Sequence, residues 1–182
     1  DMALAAKKLG LHYLAITEHS RHLTVARGLD AEHLLKQCDE IDRPHTQLDG
    51  ITLLKGIEVA ILEDGTLDQD PKLLNRLDVV VASVHSKLAM DAPAMTRRIV
   101  RAVTNSRVNV LGHCTGRLVS GNRGIRAESK FDAEKVFTAC REHRTAVEIN
   151  SRPERRDPPT RLLNLALGIG CDFSIDTDAH AP

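Results

Sequence analysis

The sequence predicts a parallel α/β fold and, within that class, favours a βα-barrel over an open wound sheet. Apolar segments of strand length alternate with segments of helical periodicity, six of each. The central segment, VVVASVH at 79–85, is a β-branched run without polar alternation, which is typical of a parallel strand buried on both faces. Polar side chains end nearly every strand, whereas an open sheet concentrates its site at one switch point. This distribution favours the barrel.

Local signals justify the predicted elements in chain order. Asp30 and Asp70 resemble helix N-caps, and Pro71 occupies a first helical position, where its missing N–H costs nothing. Gly10 and Gly170 follow helical patterns as C′ residues do. The predicted helices are 2–9, 29–41, 71–77, 92–103, 132–143 and 160–167. The predicted strands are 12–19, 51–61, 79–85, 108–111, 146–149 and the segment after Gly170. A loop rich in glycine and arginine spans 115–129.

Length and composition predict a single domain over residues 1–182. The chain has 182 residues, 42% of them hydrophobic and only 2% aromatic, so one aliphatic core is expected. Lys plus Arg number 25 and Asp plus Glu number 25, a balance that argues against a general polyanion binder. The four cysteines form no CxxC pair, and no secretory signal or membrane span is evident. We therefore expect a reduced, cytoplasmic protein with no membrane partner.

The two ends of the sequence predict an excerpt of a longer chain. Residue 1 is not methionine, and the sequence begins within a helical pattern. It stops at Pro182, directly after a strand end that carries candidate ligands, where a further helix is expected.

Metal-binding residue types recur at the predicted strand ends. Imidazole nitrogens and carboxylate oxygens bind divalent metals when they converge within about 2.0–2.3 Å of the ion. Asp178 and His180 are two residues apart, so an extended backbone presents both on one side. The candidate metal ligands are His19, Glu58, His85, His113, Asp178 and His180.

Each candidate ligand has an ordinary structural alternative. A single buried histidine usually hydrogen-bonds within the core, and Glu58 alone could be a salt-bridge partner. Four of the nine histidines end apolar strands, however, and this coincidence favours a metal site. Cys114 follows His113, and we interpret it as a small buried residue because strand neighbours face opposite sides. The other five histidines are predicted to lie at the surface.

Six short motifs together resemble the PHP (polymerase and histidinol phosphatase) domain, most closely that of bacterial family X DNA polymerases or its stand-alone relatives. The motifs are TEHS at 17–20, GIEV at 56–59, SVHS at 83–86, GHCTGR at 112–117, EINSRPERRDPP at 148–159 and DTDAH at 176–180. The resemblance covers nearly the whole chain and keeps the family's order. It implies a distorted seven-stranded (β/α)7 TIM-like barrel that hydrolyses phosphoesters with two or three divalent ions, Zn, Mn or Fe.

The resemblance also implies roles for the candidate ligands. Glu58 would bridge two metals, and His85 and His113 would complete one of them. Asp178 would belong to the first metal, and His19 and His180 to the third. The family's first motif, an HxH strand, would lie before Asp1 and is absent from this chain, so the first barrel strand is expected to be missing. TEH also replaces the usual TDH, and Ala60 replaces a common aspartate.

Metal-activated water needs no nucleophilic side chain, so the candidates that are not metal ligands, the arginines and Asn150, are predicted to contact the substrate or water. Glu58, His85, Arg117 and Asn150 are the predicted catalytic residues. Arginines in two loops at the ligand-bearing end are expected to hold the substrate phosphate, although loop arginines are often simply solvated. The predicted phosphate-binding residues are Arg117, Arg123, Arg126, Arg152 and Arg155.

The substrate is the least determined feature. By resemblance, a DNA 3′ end is the first choice, with 3′-5′ exonuclease or 3′-phosphoesterase activity in DNA repair and a polymerase or repair module as an attached or associated partner. The neutral charge and the scarcity of aromatic side chains argue against a single-strand binder. The alternatives are a small phosphomonoester, as in histidinol phosphatases, and an inactive PHP domain that serves as a structural or metal-binding scaffold.

Overall fold

The structure, a computed structural model, describes residues 2–20, 30–43, 48–122 and 124–179. The helices are α1 (Met2–Lys8), α2 (Ala31–Asp42), α3 (Pro71–Leu74), α4 (Ala92–Val103), α5 (Ala133–His143) and α6 (Thr160–Ile169). The strands are β1 (Tyr13–Ile16), β2 (Thr52–Ala60), β3 (Val79–Ser83), β4 (Val110–Leu111), β5 (Ala146–Asn150) and β6 (Phe173–Asp176). The predicted alternation of helices and strands is confirmed.

The six strands form one parallel sheet in which the spatial order is the chain order, β1 to β6. A doubly wound sheet reverses direction at a switch point, so this order supports the barrel interpretation. The sheet curls into a half-barrel, with β1 and β6 at its two edges. The part of the chain that the structure describes contains six strands, and the seven-strand count remains a prediction.

Side chains alternate between the two faces of the curled sheet. Ile57 and Val59 of β2, and Val80 and Ala82 of β3, pack into the hydrophobic core beneath the helices. The residues between them point to the concave side, and Glu58 is one of these. A mostly apolar strand can therefore bury the side chains of its convex face in the core while its concave face carries polar side chains such as Glu58.

Aspartate N-caps begin four of the helices. The carboxylates of Asp30, Asp70, Asp91 and Asp132 each accept a hydrogen bond from a backbone N–H in the first turn. The Asp30 and Asp70 caps agree with the prediction, and Pro71 occupies the start of α3. No helix among the described residues is both long and apolar enough to cross a bilayer.

Several predicted elements are shorter than the sequence pattern indicates; the first strand, for example, spans Tyr13–Ile16 instead of 12–19. In two other elements, turn hydrogen bonds account for the difference. The predicted strand 108–111 pairs only over Val110–Leu111, because the N–H of Val108 donates to Asn105 O in a turn at 2.9 Å. The predicted helix 71–77 ends at Leu74, because the N–H of Leu77 donates to Leu74 O in a tighter turn. Both differences arise at ends, where turn hydrogen bonds replace regular ones.

Candidate metal centre

Glu58 lies at the centre of a cluster of three histidines. Its Oε1 lies 3.1 Å from His85 Nε2 and 3.0 Å from His113 Nε2. Its Oε2 lies 3.1 Å from His19 Nδ1. One buried carboxylate therefore faces three imidazoles, with both of its oxygens engaged.

Three different segments deliver these imidazoles to the concave face. His19 pairs with Glu58 in a parallel bridge beyond β1, where the Glu58 N–H donates to Glu18 O at 2.9 Å. His85 follows β3 by two residues, and His113 follows β4 by two residues. The carboxyl ends of adjacent parallel strands meet at one rim, so residues far apart in sequence become neighbours.

The pKa shifts in the cluster follow from burial and mutual hydrogen bonding. Burial by itself raises the pKa of Glu58, but contacts with the three histidines outweigh it and hold the pKa well below its ordinary value. The hydrogen bond with Glu58 raises the pKa of His19. Burial lowers the pKa of His85. Glu58 is therefore an anion, and His85 favours the neutral form that a metal ligand requires.

The donor set fits a divalent metal ion. Ligand atoms of His19, Glu58 and His85 all lie within 4.8 Å of one another. The Nδ1 atoms of His85 and His113 are buried without a hydrogen-bond partner among the described residues. A carboxylate with several imidazoles is a donor set that suits zinc, iron or manganese. A cation between these groups would also offset the burial of the Glu58 charge.

Asp178 lies on the same rim, bonded to polar groups of the protein. Its Oδ2 accepts from Arg155 Nε at 3.1 Å and from Asn150 Nδ2 at 3.2 Å. Arg152 Nη1 is 3.7 Å from the same oxygen. His180, its predicted partner in the DTDAH motif, lies outside the described residues.

Asn150 is almost fully enclosed, at 2% exposure. Its Nδ2 donates to Asp178 and, at 3.4 Å, to Glu148 Oε2. Its Oδ1 accepts from the Arg152 N–H at 3.2 Å. The structure thus places Asn150 where it orients Asp178 and the loop that follows β5.

Among the predicted phosphate-binding arginines that the structure describes, Arg155 makes the shortest contact with Asp178, at 3.1 Å. It is 8% exposed, and its Nη1 has no hydrogen-bond partner among the described residues. Its Nε is bonded to Asp178, which directs the guanidinium to the rim. A buried guanidinium with one unused donor can receive an anion.

Arg117 and Arg126 are engaged in holding loops together. The Arg117 guanidinium donates to Arg155 O at 3.1 Å and to Arg156 O, and it pairs with Glu128. Arg126 Nε donates to Gly116 O at 2.6 Å. Arg123 lies outside the described residues. Arg117 therefore supports the loop that carries Arg155.

Two acidic residues on the concave face were not predicted as site residues. Glu148 of β5 is 5% exposed and faces Asp176 of β6. Burial, together with the facing Asp176 carboxyl, raises the pKa of Glu148 well above its ordinary value. Burial also raises the pKa of Asp176. Glu148 is two residues from Asn150, and Asp176 is two residues from Asp178. Because alternate residues of a strand share a face, this spacing could have identified both acids as neighbours of predicted site residues.

A cavity of about 570 Å³ lies at the opposite, amino-terminal end of the strands. It is lined by residues such as Asp42, Gly50, Lys55 and Asp78. None of the predicted site residues lines it, and Lys55 is paired with Asp42 there at 2.9 Å. The predicted site residues therefore lie away from this cavity.

The comparisons with known proteins agree with the motifs. DNA polymerase/3′-5′ exonuclease PolX of Bacillus subtilis is 41% identical over 180 residues, which are 99% of this chain but only 31% of the polymerase. A probable phosphatase of Thermoanaerobacter sp. strain X514 is 30% identical, with 99% of this chain and 71% of the phosphatase covered.

A solved structure shares the fold. Histidinol phosphate phosphatase from Lactococcus lactis, in complex with zinc, L-histidinol and phosphate, superimposes with a TM-score of 0.61 and 17% identity. The match covers 97% of this chain and 78% of the phosphatase. No family model matches the sequence. With the PolX and phosphatase relatives aligned along almost its entire length, the chain belongs to the PHP (polymerase and histidinol phosphatase) family.

Proposed function

We propose that this domain is a phosphoesterase that acts on DNA 3′ ends, as a 3′-5′ exonuclease or 3′-phosphoesterase in DNA repair. The observation that carries the proposal is the convergence of three imidazoles on the Glu58 carboxylate. Family membership supports the enzyme class, a metal-dependent hydrolase of phosphoester bonds.

In this proposal, the cluster holds two or three divalent ions, Zn, Mn or Fe. Glu58 would serve as a ligand to two of them, since each of its oxygens faces a different set of histidines. His85 and His113 would complete one of the two ions that Glu58 holds. Asp178 would belong to the first metal of the family's site, and His19 and His180 to the third. Bound divalent ions would supply an activated water and neutralise charge on the phosphoryl oxygens.

The chain's own residues bind and orient the phosphate. Arg155 uses its unpaired Nη1 to hold a phosphate oxygen while Nε stays on Asp178. Arg152 lies beside the same carboxylate and adds positive charge. Asn150 fixes Asp178 in place, and Arg117 holds the loop beneath Arg155. We propose that Arg123 and Arg126, the remaining predicted phosphate-binding residues, contact only a longer substrate.

The choice of a DNA end follows the higher identity to the polymerase, 41% against 30% for the phosphatase. The chain spans 31% of that polymerase. We propose that it works beside a polymerase or repair module. The second candidate, hydrolysis of a small phosphomonoester, is favoured by the probable phosphatases and by the fold shared with histidinol phosphate phosphatase. The convergence of His19, His85 and His113 on Glu58 argues against an inactive scaffold.

The test compares substrates on the metal-loaded protein. An oligonucleotide duplex with a recessed 3′ end, the same duplex with a 3′-phosphate, p-nitrophenyl phosphate and histidinol phosphate are assayed with Zn²⁺ and Mn²⁺. We expect the highest kcat/KM on the DNA ends. Preference for either small ester would support the second candidate instead, and hydrolysis of none of them would support the scaffold.

A matched pair of variants tests the role of Arg155. Arg155→Met should raise KM for the phosphate substrate by about tenfold or more, as expected for the loss of a charge-assisted hydrogen bond. Arg97→Met, on the exposed face of α4, serves as the control and should leave KM unchanged. Equal KM values for both variants would exclude phosphate binding by Arg155.

A further inference from the structure

The backbone that delivers His113 is unusual. His113 has φ +21°, a conformation that residues with a side chain rarely adopt. Gly112 precedes it where the chain is pressed against β3, because a Cβ there would lie 2.2 Å from Ser83 Oγ and 2.8 Å from Val81 Cγ1. The turn that carries His113 into the site is therefore tight and unfavourable, and it needs an outside support.

Glu148 supplies a support from the next strand. The buried His113 N–H donates to Glu148 Oε2, across 35 positions of sequence. The adjacent pairing of Leu111 with Val147 places Glu148 beside this turn. His113 and Glu148 are 4% and 5% exposed. If the Glu148 side chain were removed, water could not reach the His113 N–H to replace this hydrogen bond.

Asp157 holds the other side of the same turn. Its carboxylate accepts from the Thr115 N–H at 3.2 Å and from Thr115 Oγ1 at 2.8 Å. Asp157 is 1% exposed and is tied to β5 by the Asn150 N–H at 2.9 Å. Asp157 accepts hydrogen bonds from Thr115, two residues after His113, whereas Glu148 accepts a hydrogen bond from His113 itself.

We propose that Glu148 is a positioning residue, whose carboxyl oxygen fixes the His113 backbone so that Nε2 points at Glu58 and a bound metal. This inference rests on the proposed metal centre and extends it beyond the ligands. Groups that orient metal ligands commonly change metal affinity by about 10–100-fold when they are removed.

The test uses metal affinity and not activity. Binding of Mn²⁺ and Zn²⁺ is measured by calorimetry for Glu148→Ala, Glu148→Met and Glu148→Gln, each with and without His113→Ala. We expect the Ala and Met variants to lose about 10–100-fold in affinity. Gln keeps an acceptor oxygen and should bind nearly as wild type. The double variants should bind metal no more weakly than His113→Ala alone, because both changes act on the same ligand.

Controls separate this role from a general loss of structure. Thr145→Val removes another buried hydrogen-bonding side chain, whose Oγ1 bonds to Val103 O at 2.9 Å, and it should leave affinity unchanged. The absorption spectrum of bound Co²⁺ should change in Glu148→Met and not in Thr145→Val. Unchanged affinity in both the Ala and Met variants, or losses that add to that of His113→Ala, would overturn the inference. A wild-type protein that binds no divalent metal would instead overturn the proposed function.

Discussion

The Nε2 of His113 lies 3.0 Å from Oε1 of Glu58, although 55 positions separate the two residues in the sequence. Both side chains are buried, and their strands are not hydrogen-bonded to each other, since β3 lies between them. The curvature of the sheet brings the two residues together across the concave face. The contact therefore depends on the whole arrangement of β2, β3 and β4.

Replacing Glu58 should greatly weaken metal binding. Glu58→Gln keeps the side-chain size and removes the charge that faces three imidazoles, so affinity for Mn²⁺ or Zn²⁺ should fall by more than the roughly 100-fold expected for an outer residue. Equilibrium dialysis with metal analysis measures this change. Glu142→Gln, on the exposed face of α5, is the control, and equal metal content in the two variants would contradict the central role of Glu58.

Removing metal should destabilise the protein. At a metal concentration of 100 times Kd, binding contributes about 2.7 kcal/mol to the free energy of unfolding. For a chain of this length, that corresponds to a rise in Tm of about 5–10 °C. Thermal unfolding with chelator and with added Zn²⁺ measures the difference, and Glu58→Gln should not respond. A shift of the same size in that variant would place the metal elsewhere.

Adding a methyl group at Gly112 should destabilise the rim. An added Cβ meets Ser83 Oγ at 2.2 Å, so Gly112→Ala forces a backbone shift that should lower the free energy of unfolding by about 1–3 kcal/mol. Gly168 has no atom within 4 Å of an added Cβ and lies in α6. Gly168→Ala should therefore leave stability equal or raise it by up to about 1 kcal/mol. Urea unfolding of both variants decides between these expectations.

The free energy of unfolding should fall as pH rises above about 8.5, because the thiol of Cys140 is buried in the folded protein. Burial raises its pKa to about 12. The thiol of the unfolded chain loses its proton above about pH 8.5, whereas the folded protein keeps it, so the unfolded state is favoured as pH rises. The contribution of Cys140 is complete below pH 8.5 and is lost towards pH 12, at up to about 1.4 kcal/mol per pH unit.

Urea unfolding between pH 8 and 10 compares wild type with Cys140→Ala. The variant starts less stable, because the substitution leaves a small cavity, but its stability should decline less steeply with pH. Parallel declines in the two proteins would show that the Cys140 thiol is not protected in the folded state.

The sequence predicted the alternation of elements and the aspartate caps because both depend on short-range spacing. The caps at Asp30 and Asp70 act within one turn of helix. The sequence also indicated where the strands end, because each apolar run stops at a polar residue. This reasoning also selected His19, Glu58 and His113, which the structure brings together.

The sequence did not indicate what the polar residues inside the strands do. Glu148 belongs to a quoted motif, but its bond to the His113 backbone depends on how β4 and β5 pair. The loop arginines also differ in ways the sequence does not reveal, since Arg117 is occupied by two carbonyl oxygens whereas Arg155 has an unused donor. Loop contacts depend on distances that no local pattern encodes.

The sequence alone determined a parallel α/β chain with histidine and carboxylate side chains at its strand ends, because hydrophobic periodicity and local caps act between near neighbours. Only the tertiary structure decided which oxygen of Glu58 faces which histidine, and which acid holds the His113 turn. These relations depend on sheet curvature and strand register, which are properties of the packed chain as a whole.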